Sequence, residues 1–574
     1  MIYLNNFIHP DKNIQGKINF FADYFYYSAS QSADNDFHDI ENYLSLFDKI
    51  IFQIETNIEK CIHYINRYLE HPLLKNSDDK MNKFGDYSTV IKFLIQYNRI
   101  RLGERVSWIK ENPNFLEALK KYRIELKNNM FNQCVDELLS YIKCPHSIND
   151  HQKDIIHYTN ILVSSFLLNG YTKEDLKYIF LKVFSKDIRM FPFTESFNER
   201  HKENLNENKM LFLENITLDQ QFDALKDIFH EPSNYEFLIF RIFNIRFKNK
   251  TKFQYNKVTF YHPEHQDLKG LNFQIRSRKE CEDFMTKKEM VIAKVQVEYK
   301  SHKVAEKTAI KTINEELVYL NNRCNSFGVL DGFYHFSTFD FQVFFPLWKI
   351  GANNYTIDDA KIDNLNNNSY SSLNDYDTVC SRFFLSLEYL FQFTEGSNKP
   401  EQYWIYFEAL FQGEEKNPKE IIECISKILS KDGEGKSNIE LYIINSIIHS
   451  SAKVLSISQS KMNEFRATNN FDLNEIRKEV NHSFISFLFT KHRNISNTNS
   501  LNEKSENIKR ILWDCYAQRN SIIHSNKSHD KSLIILELKL KQITNRFRYL
   551  LIEGMRNESC TSFSELLMNL QSST

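Results

Sequence analysis

The sequence predicts a mainly α-helical chain with an N-terminal helical domain, a small central α+β unit and a C-terminal helical bundle. Three observations carry that prediction. Glycine and proline are scarce, 13 and 10 in 574 residues, and the 156 residues after Pro418 contain no proline, as a run of packed helices requires. Apolar residues recur at helical spacing from Ile40 through Leu44, Phe47, Ile51, Ile54 and Ile58 to Ile62. Strong two-residue alternation is concentrated in the middle of the chain, most clearly in Met290 to Tyr299 (MVIAKVQVEY).

Taken in order, residues 1–35 have no clear period. The aromatic run Ile18 to Tyr27 reads as a short strand or a docking segment. Helices are expected over 36–68, 87–110, 114–144 and 150–168. Asn169-Gly170 breaks the pattern, and Thr172 with Asp175 forms a variant capping box for a helix over 173–185. The first domain therefore spans 1–215. Tyr235 to Phe247 and Lys257 to Tyr261 read as strands, followed by the 290–299 strand, a helix over 304–322 and strand-like sequence from Gly328 to Phe345. These make the α+β unit, 216–350.

Residues 351–376 are rich in Asn, Asp and Ser and read as a linker. Helices are expected over 377–394, 400–413, 417–430, 437–458, 472–492, 503–518 and 532–553, with a polar loop at 493–504 and a tail at 558–574. Net charge is −1 with pI near 7.0, so a nucleic-acid site would have to be a local patch. The nine cysteines include no C-x-x-C pair; they read as reduced thiols of a cytoplasmic protein, not as a zinc or disulfide framework. No signal peptide, membrane span, Walker A loop, GxGxxG or HExxH motif is visible, so neither a cofactor nor a metal is expected.

The most informative stretch is Arg519-Asn520-Ser521-Ile522-Ile523-His524. The spacing alone is weak. With 21 arginines and 18 histidines in the chain, chance supplies nearly one Arg-x4-His pair, and Arg477-Lys478-Glu479-Val480-Asn481-His482 repeats it. Context separates the two. The 477–482 copy is expected inside a continuous helix, where positions five apart lie about 140° apart around the axis. The 519–524 copy is expected at a helix boundary after Gln518, with Trp513 and Tyr516 as anchors, where the chain can turn both side chains into one cleft.

The string CYAQRNSIIHS around this copy resembles the core of HEPN domains, with Ser525 standing where glycine is common. Arg382 to Phe393 resembles the first long helix of the Apea-like HEPN family. Tyr403 to Phe411 (YWIYFEALF) resembles that family's LEAL helix, with Glu408 at its acidic position. The resemblance covers 375–555 well and about 150–345 loosely, and implies a HEPN domain over 377–557. It further implies a metal-independent endoribonuclease with Arg519, Asn520 and His524 as catalytic residues, and RNA, tRNA included, as substrate. A homodimer through the HEPN domain would bring two motifs into one cleft. The family setting is bacterial defence: a toxin or abortive-infection effector, with the N-terminal region sensing a phage-derived trigger and restraining the nuclease.

These residue types suit that chemistry. The ribose 2′-hydroxyl attacks the adjacent phosphorus. A neutral imidazole takes its proton and an imidazolium protonates the leaving 5′-oxygen, which histidine allows near neutral pH. A guanidinium matches the phosphorane oxygens with a permanently charged fork. Asn520 holds the phosphate or orients His524. Against this stand structural readings: Arg519 as a helix C-terminal cation, His524 as a buried histidine, Glu408 as a partner for Arg382 or another cation. His529-Asp530 reads as a solvated loop pair.

Phe240 to Lys257 alternates aromatic and basic residues, and Arg246, Lys248 and Lys250 with Arg276 and Arg278 form a candidate RNA-binding patch. A half-buried strand with a solvated face has the same pattern, and that reading is preferred. The alternative to an enzyme is a HEPN module that does no chemistry and pairs with a partner protein or a nucleotide.

Overall fold

The structure is a computed structural model. It describes residues 11–29, 42–71, 73–74, 78–184, 187–243, 245, 247, 252–269, 290–324, 329–337, 343–344, 400–412, 414–449, 455, 457–467, 472–480, 482–495, 497–525, 533–557 and 562–572. Of the described residues 76% are helical and 7% are in strands, so the mainly α class with a small α+β unit holds. The linker at 351–376 and the helix expected over 377–394 lie outside the described residues.

The chain opens with α1 (Lys12–Ser28), capped by Asp11. This is the aromatic run read as a strand or docking segment. From Lys17 to Ser28 this helix is packed nearly all round, with only Asn19 and Tyr26 partly exposed. Phe20, Tyr24, Phe25 and Tyr27 are all fully buried, which erases the periodicity that marks an amphipathic helix. Then come α2 (Tyr43–Leu69), α3 (Asp78–Asn82), α4 (Ser88–Arg99), α5 (Arg105–Glu111), α6 (Pro113–Lys143), α7 (Ile148–Leu168) and α8 (Lys173–Phe184). The cap expected for α8 forms: the Asp175 carboxylate accepts from the Thr172 backbone at 2.7 Å, and Thr172 Oγ1 accepts from the Asp175 backbone. Short helices α9 (Glu195–Arg200), α10 (Lys202–Glu207) and α11 (Lys209–Glu214) lead to α12 (Leu218–His230).

The central sheet contains β1 (Asn234–Phe243), β2 (Lys252–Tyr255), β3 (Val258–Tyr261), β4 (Met290–Tyr299), β5 (Val329–Ser337) and β6 (Val343–Phe344), with a single turn α13 (Gln266–Lys269) after β3. The order is β2-β3-β4-β1-β5-β6 and every pairing is antiparallel. Helix α14 (His302–Cys324) lies across one face. Its Ala305, Ala309, Ile313 and Leu317, four residues apart, pack on Leu238, Phe240 and Val295. The alternation that marked the 290–299 strand is the pleat over this helix.

The C-terminal region holds α15 (Pro400–Leu410), α16 (Pro418–Lys431), α17 (Glu434–His449), α18 (Gln459–Ala467), α19 (Leu473–Glu479), α20 (Ser483–Asn494), α21 (Thr498–Ser525), α22 (Leu533–Asn557) and α23 (Phe563–Ser572). Of the helix expected over 437–458, 437–449 lies in α17 and Leu455 is helical, while 450–454 and 456 lie outside the described residues. Three expectations are corrected here. The helix expected over 472–492 is two helices broken at 480–482. The loop expected at 493–504 is helical from Thr498. The 558–574 tail contains α23, whose Phe563, Leu566 and Leu567 are buried in the bundle.

The cores do not follow the chain order. Helices α15, α16, α21, α22 and α23 share one core, built on Trp404, Phe407, Ile425, Leu512 and Phe547. Helices α17 to α20 belong instead to the large N-terminal core. Phe484 of α20 meets Phe20 of α1 at 5.9 Å between ring centroids, and Tyr442 of α17 meets Tyr27 at 5.2 Å. The molecule is therefore a main body with a five-helix bundle set against it, and the chain crosses between them at Asp432–Gly433 and again at Ile495–Asn497. Among the described residues no helix is long and apolar enough to cross a membrane.

Candidate functional site

Helix α21 carries the motif, and its course differs from the expectation. The helix does not end at Gln518 but runs unbroken through Ser525. Nothing in 498–525 stops it: there is no glycine or proline, and Ala517, Gln518 and Arg519 are strong helix formers. Positions 519 and 524 therefore lie about 140° apart around one helix axis. The rival copy is the one at a boundary. Arg477 closes α19, Val480 is extended at φ −88° and ψ 117°, and His482 is the N-cap residue of α20. The two contexts are exchanged relative to the sequence reading.

His482 is nonetheless a packed residue. It is 6% exposed, and its Nε2 lies 3.5 Å from the buried Asp23 carboxylate of α1. Asp23 Oδ2 and both ring nitrogens of His482 have no hydrogen-bond partner among the described residues. Burial lowers the imidazole to about 4 and pushes the Asp23 carboxyl well above the usual range.

Arg519 sits differently. One guanidinium nitrogen reaches the Glu408 carboxylate of α15 at 3.4 Å, and the other donates to Asn520 Oδ1 at 3.0 Å. Its side chain is 26% exposed and that of Glu408 is 35% exposed. Arg519 Nε is buried and has no hydrogen-bond partner among the described residues. Thus Glu408 does pair with a cation, as one reading expected, but the cation is Arg519 and the pair is half open. Arg382 lies outside the described residues. The position of His524 in the helix is described but its side chain is not. The arrangement brings together Glu408, Arg519 and Asn520 alone among the expected site residues. Arg246, Lys248, Lys250, Arg276 and Arg278 lie outside the described residues, as does His529-Asp530.

Three residues that the sequence reading passed over complete the surroundings, all from α2. Tyr64 Oη accepts from Asn520 Nδ2 at 3.4 Å. The Arg67 guanidinium lies over the Trp513 ring at 4.0 Å. Lys49 pairs with Asp514 at 2.5 Å, with side chains only 6% and 10% exposed. The amphipathic period of α2 was readable, but no local signal links it to a helix more than 450 positions away. Between α2 and α21 a cavity of about 20 Å³ is lined by Tyr64, Arg67, Trp513 and Asp514 among others. That holds about one water, so this place is a seam between packed helices and not a ligand chamber.

Cys515, four residues before the motif, is fully buried and donates to the Pro400 carbonyl at 2.9 Å. Burial pushes its thiol well up, which leaves it inert as a nucleophile. No group of three His, Cys, Asp or Glu among the described residues is placed to hold a metal ion. Comparison of the chain with protein-family models, with curated proteins and with solved structures finds no match.

Proposed function

We propose that the protein is a metal-independent endoribonuclease of HEPN type, with Arg519 as the phosphate clamp, His524 as the acid and base, and Asn520 positioning the phosphate. The observation that carries this reading is the state of Arg519. Its guanidinium is held in orientation from two sides, by Glu408 and Asn520, yet it remains a quarter exposed. The exposed part of a guanidinium held this way can meet a phosphate oxygen, the acceptor that an arginine fork matches best. A purely structural arginine would spend its donors on the protein.

The helix geometry sets a condition on this chemistry. With positions 519 and 524 about 140° apart, Arg519 of one chain and His524 of the same chain do not converge on one phosphate. A homodimer satisfies the need, because a two-fold axis places His524 of the second copy opposite Arg519. Acting on RNA, tRNA included, such a dimer serves as a toxin or abortive-infection effector in bacterial defence, with the main body reading a phage-derived trigger. The same divergence favours the second reading, a HEPN module that binds a partner protein or a nucleotide without cutting.

RNA cleavage in EDTA separates the two. Wild type and the Arg477→Ala/His482→Ala control, if folded, cut total tRNA or a mixed single-stranded pool, while Arg519→Ala and His524→Ala do not. A wild type that stays silent even when freed of restraint sinks the nuclease reading.

A further inference from the structure

Asn520 makes a contact that a helix does not provide by itself. Consecutive residues of an α-helix point about 100° apart, and their side chains do not face each other. Yet Asn520 Oδ1 accepts from a guanidinium nitrogen of Arg519 at 3.0 Å. Each of the two side chains is held from outside α21. Glu408 of α15 takes the other guanidinium nitrogen at 3.4 Å, and Tyr64 Oη of α2 accepts from Asn520 Nδ2 at 3.4 Å. The amide has one way to lie between these neighbours. A guanidinium has donors and no acceptor, so the amide oxygen faces Arg519 and the NH2 group faces the tyrosine oxygen.

Tyr64 is a fixed point for that contact. It is 4% exposed and belongs to the main-body core. Its ring centroid lies 4.0 Å from that of His63 and 6.3 Å from that of Trp513. One turn further along α2, Arg67 lies over Trp513 at 4.0 Å, and the buried Lys49–Asp514 pair pins α2 to α21. The row Glu408–Arg519–Asn520–Tyr64 therefore runs from the bundle into the main body.

We propose that Tyr64 is a positioning residue of the site: its hydroxyl fixes the Asn520 amide, and through it the Arg519 guanidinium, so that the main body supplies part of the frame holding the phosphate clamp. The role rests on the endoribonuclease reading above. Without the hydroxyl the amide turns about its last torsion, which is broad for asparagine, and Arg519 keeps one firm holder in place of two. What is lost is preorganisation of a donor toward charge that develops in the transition state. The effect therefore falls on kcat and leaves KM little changed.

The test is the kinetics of RNA cleavage in EDTA by the full chain, with urea unfolding of the same proteins. Tyr64→Phe keeps the ring and its packing and deletes the hydroxyl alone. Its kcat is expected to fall about two- to tenfold, the scale of one neutral hydrogen bond, with KM and the urea midpoint unmoved. In an Asn520→Ala background the same substitution is expected to change nothing further, because its effect passes through that amide. A purely structural tyrosine would move the midpoint and would act equally in both backgrounds. A Tyr64→Phe protein with wild-type kcat, or one whose loss persists in full beside Asn520→Ala, overturns the proposal while the nuclease reading stands. A wild type as silent as Arg519→Ala overturns the nuclease reading, and the positioning role falls with it.

Discussion

Two six-residue segments with the same Arg-x4-His spacing, 477–482 and 519–524, end in opposite surroundings. The first crosses a helix boundary and the second lies within a helix. Yet the boundary copy has its histidine locked in the main core against Asp23, and the helical copy has its arginine half open beside Glu408 and Asn520. The difference teaches that convergence within one chain is a poor test for such a motif. Exposure does not separate the two arginines either, since Arg477 is the more exposed; what distinguishes Arg519 is that Glu408 and Asn520 hold its guanidinium in orientation. A cleft can then be completed by a second chain.

The largest expected effect breaks the comparison at its arginines. Arg519→Ala lowers RNA cleavage by about 10²–10³-fold, the scale for removing one donor to a charged transition state, while Arg477→Ala leaves the rate unchanged. The assay is single-turnover cleavage in EDTA, with each variant compared with wild type. Equal loss in both arginine variants would show that neither copy is the site.

Stability sharpens the comparison at the histidines. His482→Ala removes a 6%-exposed side chain from the main core and is expected to cost roughly 2–3 kcal/mol, read as a lower midpoint in urea at unchanged slope. If His524 is the acid and base rather than a core residue, His524→Ala abolishes cleavage while costing less than about 0.5 kcal/mol. The reverse pattern, a stability loss at 524 and none at 482, would exchange the two assignments.

How far these features were readable in the sequence follows from where each signal resides. The 290–299 strand and the Thr172–Asp175 cap were legible because a pleat over one helix and a reciprocal cap are local devices. Glu408, Arg519 and Asn520 were found through the family resemblance, and the structure does bring them together. Helix α1 was not legible because from Lys17 onward it is buried nearly all round. The break at 480–482 was hidden because no glycine or proline marks the place where Val480 turns extended and His482 becomes the N-cap of α20. The run of α21 past Gln518 was misjudged because a polar stretch after the motif suggested an early stop. Lys49, Tyr64 and Arg67 become part of the site only through tertiary docking.

The pH dependence gives a smaller effect with a definite sign. His482 is lowered to about 4 when folded, against about 6.5 unfolded. Between these values the unfolded chain binds the extra proton, so stability falls as pH drops from 6.5 toward 4. Asp23 works the other way: its folded pKa is raised, so its contribution is present at low pH and fades as pH rises. The two partly cancel in wild type. Asp23→Asn removes the compensating partner, and its stability is expected to fall more steeply than wild type between pH 6.5 and 4.5 in urea titrations. An unchanged slope would mean that the pair titrates as one unit with a shared proton.

The smallest effect lies at Glu408. A pair that is 26% and 35% exposed at 3.4 Å contributes at most about 0.5–1 kcal/mol, so Glu408→Gln should leave the urea midpoint nearly unmoved. Its value to the site is orientation: the carboxylate holds one end of the guanidinium while Asn520 holds the other. Gln keeps an acceptor oxygen but loses the charge. Cleavage is therefore expected to fall by only about tenfold or less, one lost charge-assisted hydrogen bond, with the loss in kcat and little change in KM. A stability loss of several kcal/mol with no kinetic change would make Glu408 a structural partner and leave Asn520 alone to aim Arg519. That outcome would leave the Asn520 contact as what distinguishes Arg519 from the more exposed Arg477.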